Sequence, residues 1–150
     1  LARNMLTPQP EFFKVESFRC LVERRFDANG MLKTVSEAVV KVEVDGEVRM
    51  SVAEGHGPVN ALDIALRKDL GRFQAEIEDL ELVDFKVRIL NGGTAAITRV
   101  LIESGDATGA RWRTVGVSDN IIDASFQALM DSVNYKLMKN RSMAGLAAAE

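Results

Sequence analysis

The chain has 150 residues, 47% of them apolar and 27% charged, with a formal net charge of −3 and an isoelectric point near 5.3. That is the make-up of an ordinary globular domain, or of two very small ones sharing a core. It excludes the strongly basic surface of a nucleic-acid binder, and no apolar run approaches the roughly 20 residues that a membrane-spanning helix needs.

The chain opens on Leu1 rather than Met, without the compact apolar stretch of a signal peptide. Residues 1–10 are expected to be a linker in a piece cut from something longer. A single cysteine, Cys20, permits no intrachain disulfide and suits a reducing, cytoplasmic location. It alternates with Phe18 and Val22 on a strand expected over 12–23, which also offers Val15 to the same side, so Cys20 is read as a packing residue. A polar connector, RRFDANGMLKTVSE, follows. AVVKVEVDGEVRMSV is then the clearest hairpin: Val40, Val42 and Val44 alternate with polar residues, and Asp45-Gly46 suits a two-residue turn with positive φ at both positions. Gly55, Gly57 and Pro58 end the strand. Pro58 is acceptable in a first helical turn, where its missing N–H is not needed. Val59, Leu62, Leu66, Leu70 and Phe73 then recur at helical spacing.

The second half repeats the order. LELVDFKVRIL reads as a strand, NGGTA as a shorter connector, and AITRVLIES with ARWRTVGV as a second hairpin. Ser118 or Asp119 is expected to cap a longer helix whose buried stripe is Ile122, Phe126, Leu129, Val133 and Leu137. Residues 140–150 read as a frayed or disordered tail. The expected fold is therefore α+β, two pseudo-symmetric βββα units (about 11–75 and 76–139) in one domain of residues 11–139. An offset of sixty places Val40 on Val100, Asn60 on Asn120 and Asp63 on Asp123. The halves should be related by a pseudo-twofold near residues 71–78. Three strands and a helix bury little apolar surface alone, so the units should share a core and a second chain should complete it as a homodimer.

Catalytic chemistry finds no residues here. The only histidine, His56, sits between two glycines, as a solvent-facing loop residue or a ligand contact. No zinc-ligand spacing, nucleophile triad or phosphate loop is present. Ser118 lacks the second glycine of a nucleophile elbow. Trp112 should enter the core between two solvated arginines, Arg111 and Arg113. The strand-to-helix corners, GHGPVNALDIAL and GVSDNIIDASFQAL, leave two readings open. They are ordinary capped turns, or they form a pocket for a small zwitterion with an apolar side chain. In the second reading, helix N-termini seat the carboxylate and Asp119 receives the ammonium.

With the corners and the duplicated order in hand, the sequence resembles the C-terminal regulatory domain of the 2-isopropylmalate synthase and citramalate synthase family. The resemblance covers about residues 11–139. DGEVRMSVAEGHGPVNALDIALRKDL matches the family's first hairpin and its G-x-G-P corner. ARWRTVGVSDNIIDASFQALMDSVNYKL matches the second and is worded most like citramalate synthases. The resemblance implies a non-catalytic domain that carries no cofactor. The parent acyltransferase would use a divalent metal and acetyl-CoA in a missing TIM barrel of the same chain. The effector would be the pathway's end product, isoleucine for citramalate synthases or leucine for isopropylmalate synthases. Carried over by position, the effector residues are Gly55, Gly57, Val59 and Asn60 at the first corner, Leu82, Phe85 and Ile89 as a side-chain pocket, Ala95 and Ala96 as small neighbours, and Val117, Ser118 and Asp119 at the second corner. The sequence departs from some relatives in Phe85, where a tyrosine is common, and so lacks a phenol hydrogen bond. The alternatives are a leucine-binding domain of an isopropylmalate synthase and a structural dimerisation module with no ligand. Neither nucleic acid nor membrane is an expected partner.

Overall fold

The computed structural model describes residues 12–90, 93 and 96–149. Strands β1 (Lys14–Phe26), β2 (Leu32–Val44) and β3 (Glu47–Gly55) form an antiparallel sheet in the order β1-β2-β3, followed by helix α1 (Pro58–Lys68). A short 3₁₀ helix, Gly71–Ile77, leads into β4 (Glu81–Ile89), β5 (Thr98–Gly105) and β6 (Arg111–Ser118). These make a second antiparallel sheet, β4-β5-β6, and helix α2 (Ile121–Ala149) follows. The α+β fold of two βββα units is therefore the observed one. Helix α1 packs on β2 and β3, α2 packs on β5 and β6, and the helices touch each other.

Alternation along the strands builds the core. Ala38, Val40, Val42 and Val44 point to the helix side of the first sheet, and Val100 and Ile102 to that of the second; all are buried. Helix α1 covers them with Ala61, Leu62, Ala65 and Leu66, and α2 with Phe126, Leu129, Val133 and Leu137. Trp112 is buried between exposed Arg111 and Arg113 and donates to Ser132 Oγ at 3.3 Å. Asp45 and Gly46 both take positive φ, 53° and 79°, as the two-residue turn requires.

Besides α1 ending at Lys68, which leaves Leu70 and Phe73 outside it and Phe73 on the 3₁₀ helix, three features differ from the sequence reading. First, RRFDANGMLKTVSE is not a connector. β1 runs on to Phe26 and β2 begins at Leu32, paired throughout, and Asp27 Oδ1 closes the turn by accepting from Asn29 N and Met31 N. From 21 to 34 every residue is exposed, so neither face is selected for apolarity and the period-two signal is lost. Second, the offset between the units is not sixty. Val40 faces Phe18 and Ile102 faces Phe85, so the counterpart of Val40 is Ile102, sixty-two positions on. A bulge at Val15/Ser17 is matched by one at Leu82/Asp84. In each edge strand the bulge brings two residues three apart, Val15 with Phe18 and Leu82 with Phe85, onto one face. Third, neither Ser118 nor Asp119 caps α2. β6 continues through Ser118, and Asn120 is the residue whose side-chain oxygen overlies the first turn. It accepts from Ile122 N at 2.9 Å and Asp123 N at 3.2 Å. Helix α2 runs to Ala149, with residues 141–149 exposed.

Candidate functional site

The two strand-to-helix corners are chemically unlike. At the first, Gly57 precedes α1 in an extended conformation with no side-chain cap, Pro58 opens the helix, and no acidic residue stands in its first turn. Ala61 N reaches Gly57 O, which leaves the N–H groups of Val59 and Asn60 with the partial positive charge of the helix end. Asn60 does not cap its own helix; its Oδ1 accepts from His56 N at 3.0 Å and so stiffens the corner. At the second corner, Asn120 fills the equivalent place, and Asp119 and Asp123 surround it with negative charge.

Glycine is required at these corners for packing. A Cβ on Gly55 would lie 2.6 Å from Ala61 N, and one on Gly116 would lie 1.8 Å from Ala124 O. Both glycines let the following helix lie against its own strand. A Cβ on Gly57 would meet nothing within 4 Å, so that position is open.

Strand β1 brings the corners together. Cys20 Sγ donates to Pro58 O at 3.5 Å, and burial pushes its thiol pKa up. On its other side Cys20, with Phe18 and Arg19, lines a groove of about 410 Å³ whose far wall is Ser118, Asp119, Asn120, Ile122 and Asp123. Ser118 Oγ accepts from Asn120 N at 3.1 Å. The sequence reading did not include Phe18, Arg19 or Cys20. The signal available was the match between Phe18 and Phe85, both at strand bulges, but the Cys20–Pro58 contact spans 38 positions and has no local trace.

Of the other expected residues, Val59 is half-buried against the core, and so are Leu82 and Phe85. Ile89 shares their face. It pairs with Thr98, which pairs in turn with Ser118, so Ile89 and Ser118 stand in one row, roughly 10 Å apart across two strand spacings. Val22, Ser36 and Gly55 form the equivalent row in the first unit. Val117 pairs with Arg99 on the opposite face of β6 from Ser118, and its N–H donates to Gln127 Oε1. Ala96 is half-buried just before β5. Ala95 lies outside the described residues.

The chain matches the LeuA allosteric (dimerisation) domain family over residues 1–137. It is similar to the (R)-citramalate synthase of Geobacter sulfurreducens, 49% identical over 147 residues that cover 97% of this chain and 27% of that protein. The corresponding enzyme of Streptomyces coelicolor is 48% identical, over 93% of this chain and 25% of the relative. A 2-isopropylmalate synthase of Aquifex aeolicus is 33% identical, over 86% and 24%. The chain thus spans about a quarter of the length of these relatives.

Proposed function

Since this chain belongs to the LeuA allosteric (dimerisation) domain family, we propose that it is the dimerising, end-product-sensing part of an (R)-citramalate synthase, with isoleucine as its effector. The higher identity to citramalate synthases than to the isopropylmalate synthase supports the assignment of the parent enzyme. The observation that carries the binding mode is the unlikeness of the two corners, one uncapped and electropositive, one capped and acidic, joined through Cys20.

A zwitterion fits that pair. Its carboxylate takes the N–H groups of Val59 and Asn60, where the helix dipole favours an anion without any Lys or Arg. Gly57 leaves that approach unobstructed. Its ammonium turns toward Asp119, and its branched side chain lies against Leu82, Phe85 and Ile89. The capped second corner is not a carboxylate seat in this arrangement, because Asn120 already takes its N–H groups. Inhibition of a catalytic barrel in the same polypeptide then needs only that the effector bind one of two domain states more tightly.

Calorimetry of the chain with isoleucine, leucine and valine tests the reading. Isoleucine should bind most tightly, by about 1–3 kcal/mol over its isomer, since methyl placement alone distinguishes them. Tighter leucine binding would move the chain to the isopropylmalate branch. No heat and no thermal shift with millimolar ligand would leave a structural dimerisation module.

A further inference from the structure

The two helices start in the same register and then part. Ala61 N bonds Gly57 O at the start of α1 and Ala124 N bonds Asn120 O at the start of α2, so helix residues correspond at sixty-three positions apart. Buried Ala61, Ala65 and Leu66 answer to buried Ala124, Ala128 and Leu129. On that register Lys68, the last residue of α1, is matched by Asp131. In the first unit the chain leaves the helix there and turns into the 3₁₀ helix, while in the second it runs straight on to Ala149. The part of α2 beyond Asp131 has no helical counterpart in the first unit.

This extension grips the joint between the units. Lys136, its side chain 4% exposed, reaches Asp79 Oδ2 at 3.2 Å. Asn140 Nδ2 donates to Glu76 O at 3.3 Å. Arg141 holds both carboxylate oxygens of Glu76, at 2.6 and 3.0 Å, a two-pronged geometry that fixes direction as well as distance. The same guanidinium stands 5.7 Å from the ring centre of Phe12 and 5.8 Å from that of Phe73, and those rings meet edge to face. The described chain begins at Phe12, and it ends at Ala149, about 12 Å past Arg141 along the same helix. Both ends of the described chain therefore leave from the far end of α2. Its near end is the second corner, roughly 30 Å from Arg141.

We propose that the extension of α2 is a coupling rod with Arg141 as its latch: effector occupancy at the corners reaches the rest of a longer polypeptide through the contacts of Arg141 with Glu76 and Phe12. The proposal rests on the end-product-sensing reading above and supplies its route. The route serves a polypeptide attached at either end, because both ends pass the latch. Coupling between distant sites is carried by rigid elements and ion-pair networks with two arrangements, and α2 is one rigid element between a corner and an ion-paired joint. As a structural tie Arg141 would be redundant. Lys136 and Asn140 already fasten α2 to the joint, and Arg141 itself is half-exposed, where an ion pair contributes little stability. What it alone adds is the link to Phe12.

The test compares Arg141→Ala, Glu76→Gln and Arg72→Ala in the full-length enzyme. Arg72 also lies over the Phe73 ring, at 4.6 Å, but pairs with Asp45, so it controls for a general loosening of the joint. All three variants should keep the uninhibited rate and still bind isoleucine by calorimetry. At saturating isoleucine, Arg141→Ala and Glu76→Gln should lose most of the inhibition shown by the unmodified enzyme, and Arg72→Ala should lose none. Full inhibition of Arg141→Ala, or equal relief in Arg72→Ala, overturns the rod and leaves effector binding standing. An unmodified enzyme that binds no isoleucine overturns the effector reading and the rod with it.

Discussion

Phe18 of β1 lies nearly flat on Phe126 of α2, ring centroids 4.2 Å apart and planes 20° from parallel. The stack joins a strand of the first unit to the helix of the second, so the duplicated units share one core. Phe18→Ala should therefore destabilise the whole chain by about 2–3 kcal/mol, below the full cost of a buried phenylalanine because Phe18 is only half-buried. Urea unfolding followed by Trp112 fluorescence, which reports on the second unit, should shift together with far-UV dichroism, which reports on both. Separate transitions would show two independent domains.

Gly57 stands at the N-cap of α1 with open space around it. Gly57→Asp should raise stability by a few tenths of a kcal/mol, because aspartate is a better cap than glycine. The same carboxylate would occupy the N–H groups of Val59 and Asn60 and repel an incoming one. Thermal melts should show the gain, and calorimetry with isoleucine should show binding abolished.

Gly116 is the opposite case. With its missing Cβ 1.8 Å from Ala124 O, Gly116→Ala must push α2 off its sheet, at a cost of about 3 kcal/mol. Gly57→Ala should cost less than about 1 kcal/mol. Chemical denaturation of the two variants side by side checks the contrast.

Asp106, at the turn between β5 and β6, accepts from Lys136 Nζ at 2.8 Å and Lys139 Nζ at 2.6 Å, and its side chain is fully buried. Lys136, itself buried, also reaches Asp79 beyond the 3₁₀ helix, which pins the joint between the units to α2. Burial alone would raise the Asp106 carboxyl pKa, but the hydrogen bonds from Lys136, Lys139 and Thr108 hold it well below the ordinary 3.8. The unfolded carboxylate thus takes a proton before the folded one does. Stability should fall as pH drops below about 4, with a slope approaching 1.4 kcal/mol per pH unit from this group. Asp106→Asn should flatten that slope and, by removing the charge that Lys136 and Lys139 share while Asp79 still faces Lys136, cost about 1.5–3 kcal/mol at neutral pH. Denaturation between pH 2 and pH 7 measures both.

What sequence alone determined here was the order of elements and the faces they bury. The alternation of Val40, Val42 and Val44 and the helical spacing of Leu62 and Leu66 are local consequences of backbone geometry and apolar burial. The Asp45-Gly46 turn was legible for the same reason, since two adjacent positive φ values single out few residue pairs. The tertiary structure alone decided what depends on partners distant along the chain. Whether Val40 corresponds to Val100 or Ile102 follows from pairings with Phe18 and Phe85 and from two bulges, none of which leaves a periodic mark. The arm from Leu21 to Thr34 was invisible because hydrogen bonding across the ribbon, rather than burial, holds it in strand form. The corners showed their likeness in sequence. Their difference, Gly57 leaving α1 open while Asn120 closes α2, needed the three-dimensional path of β6, which stays in the sheet through Ser118 and so moves the cap one residue past Asp119. Cys20 meets both corners only because β1, at the edge of one sheet, leans across to the helix of the other.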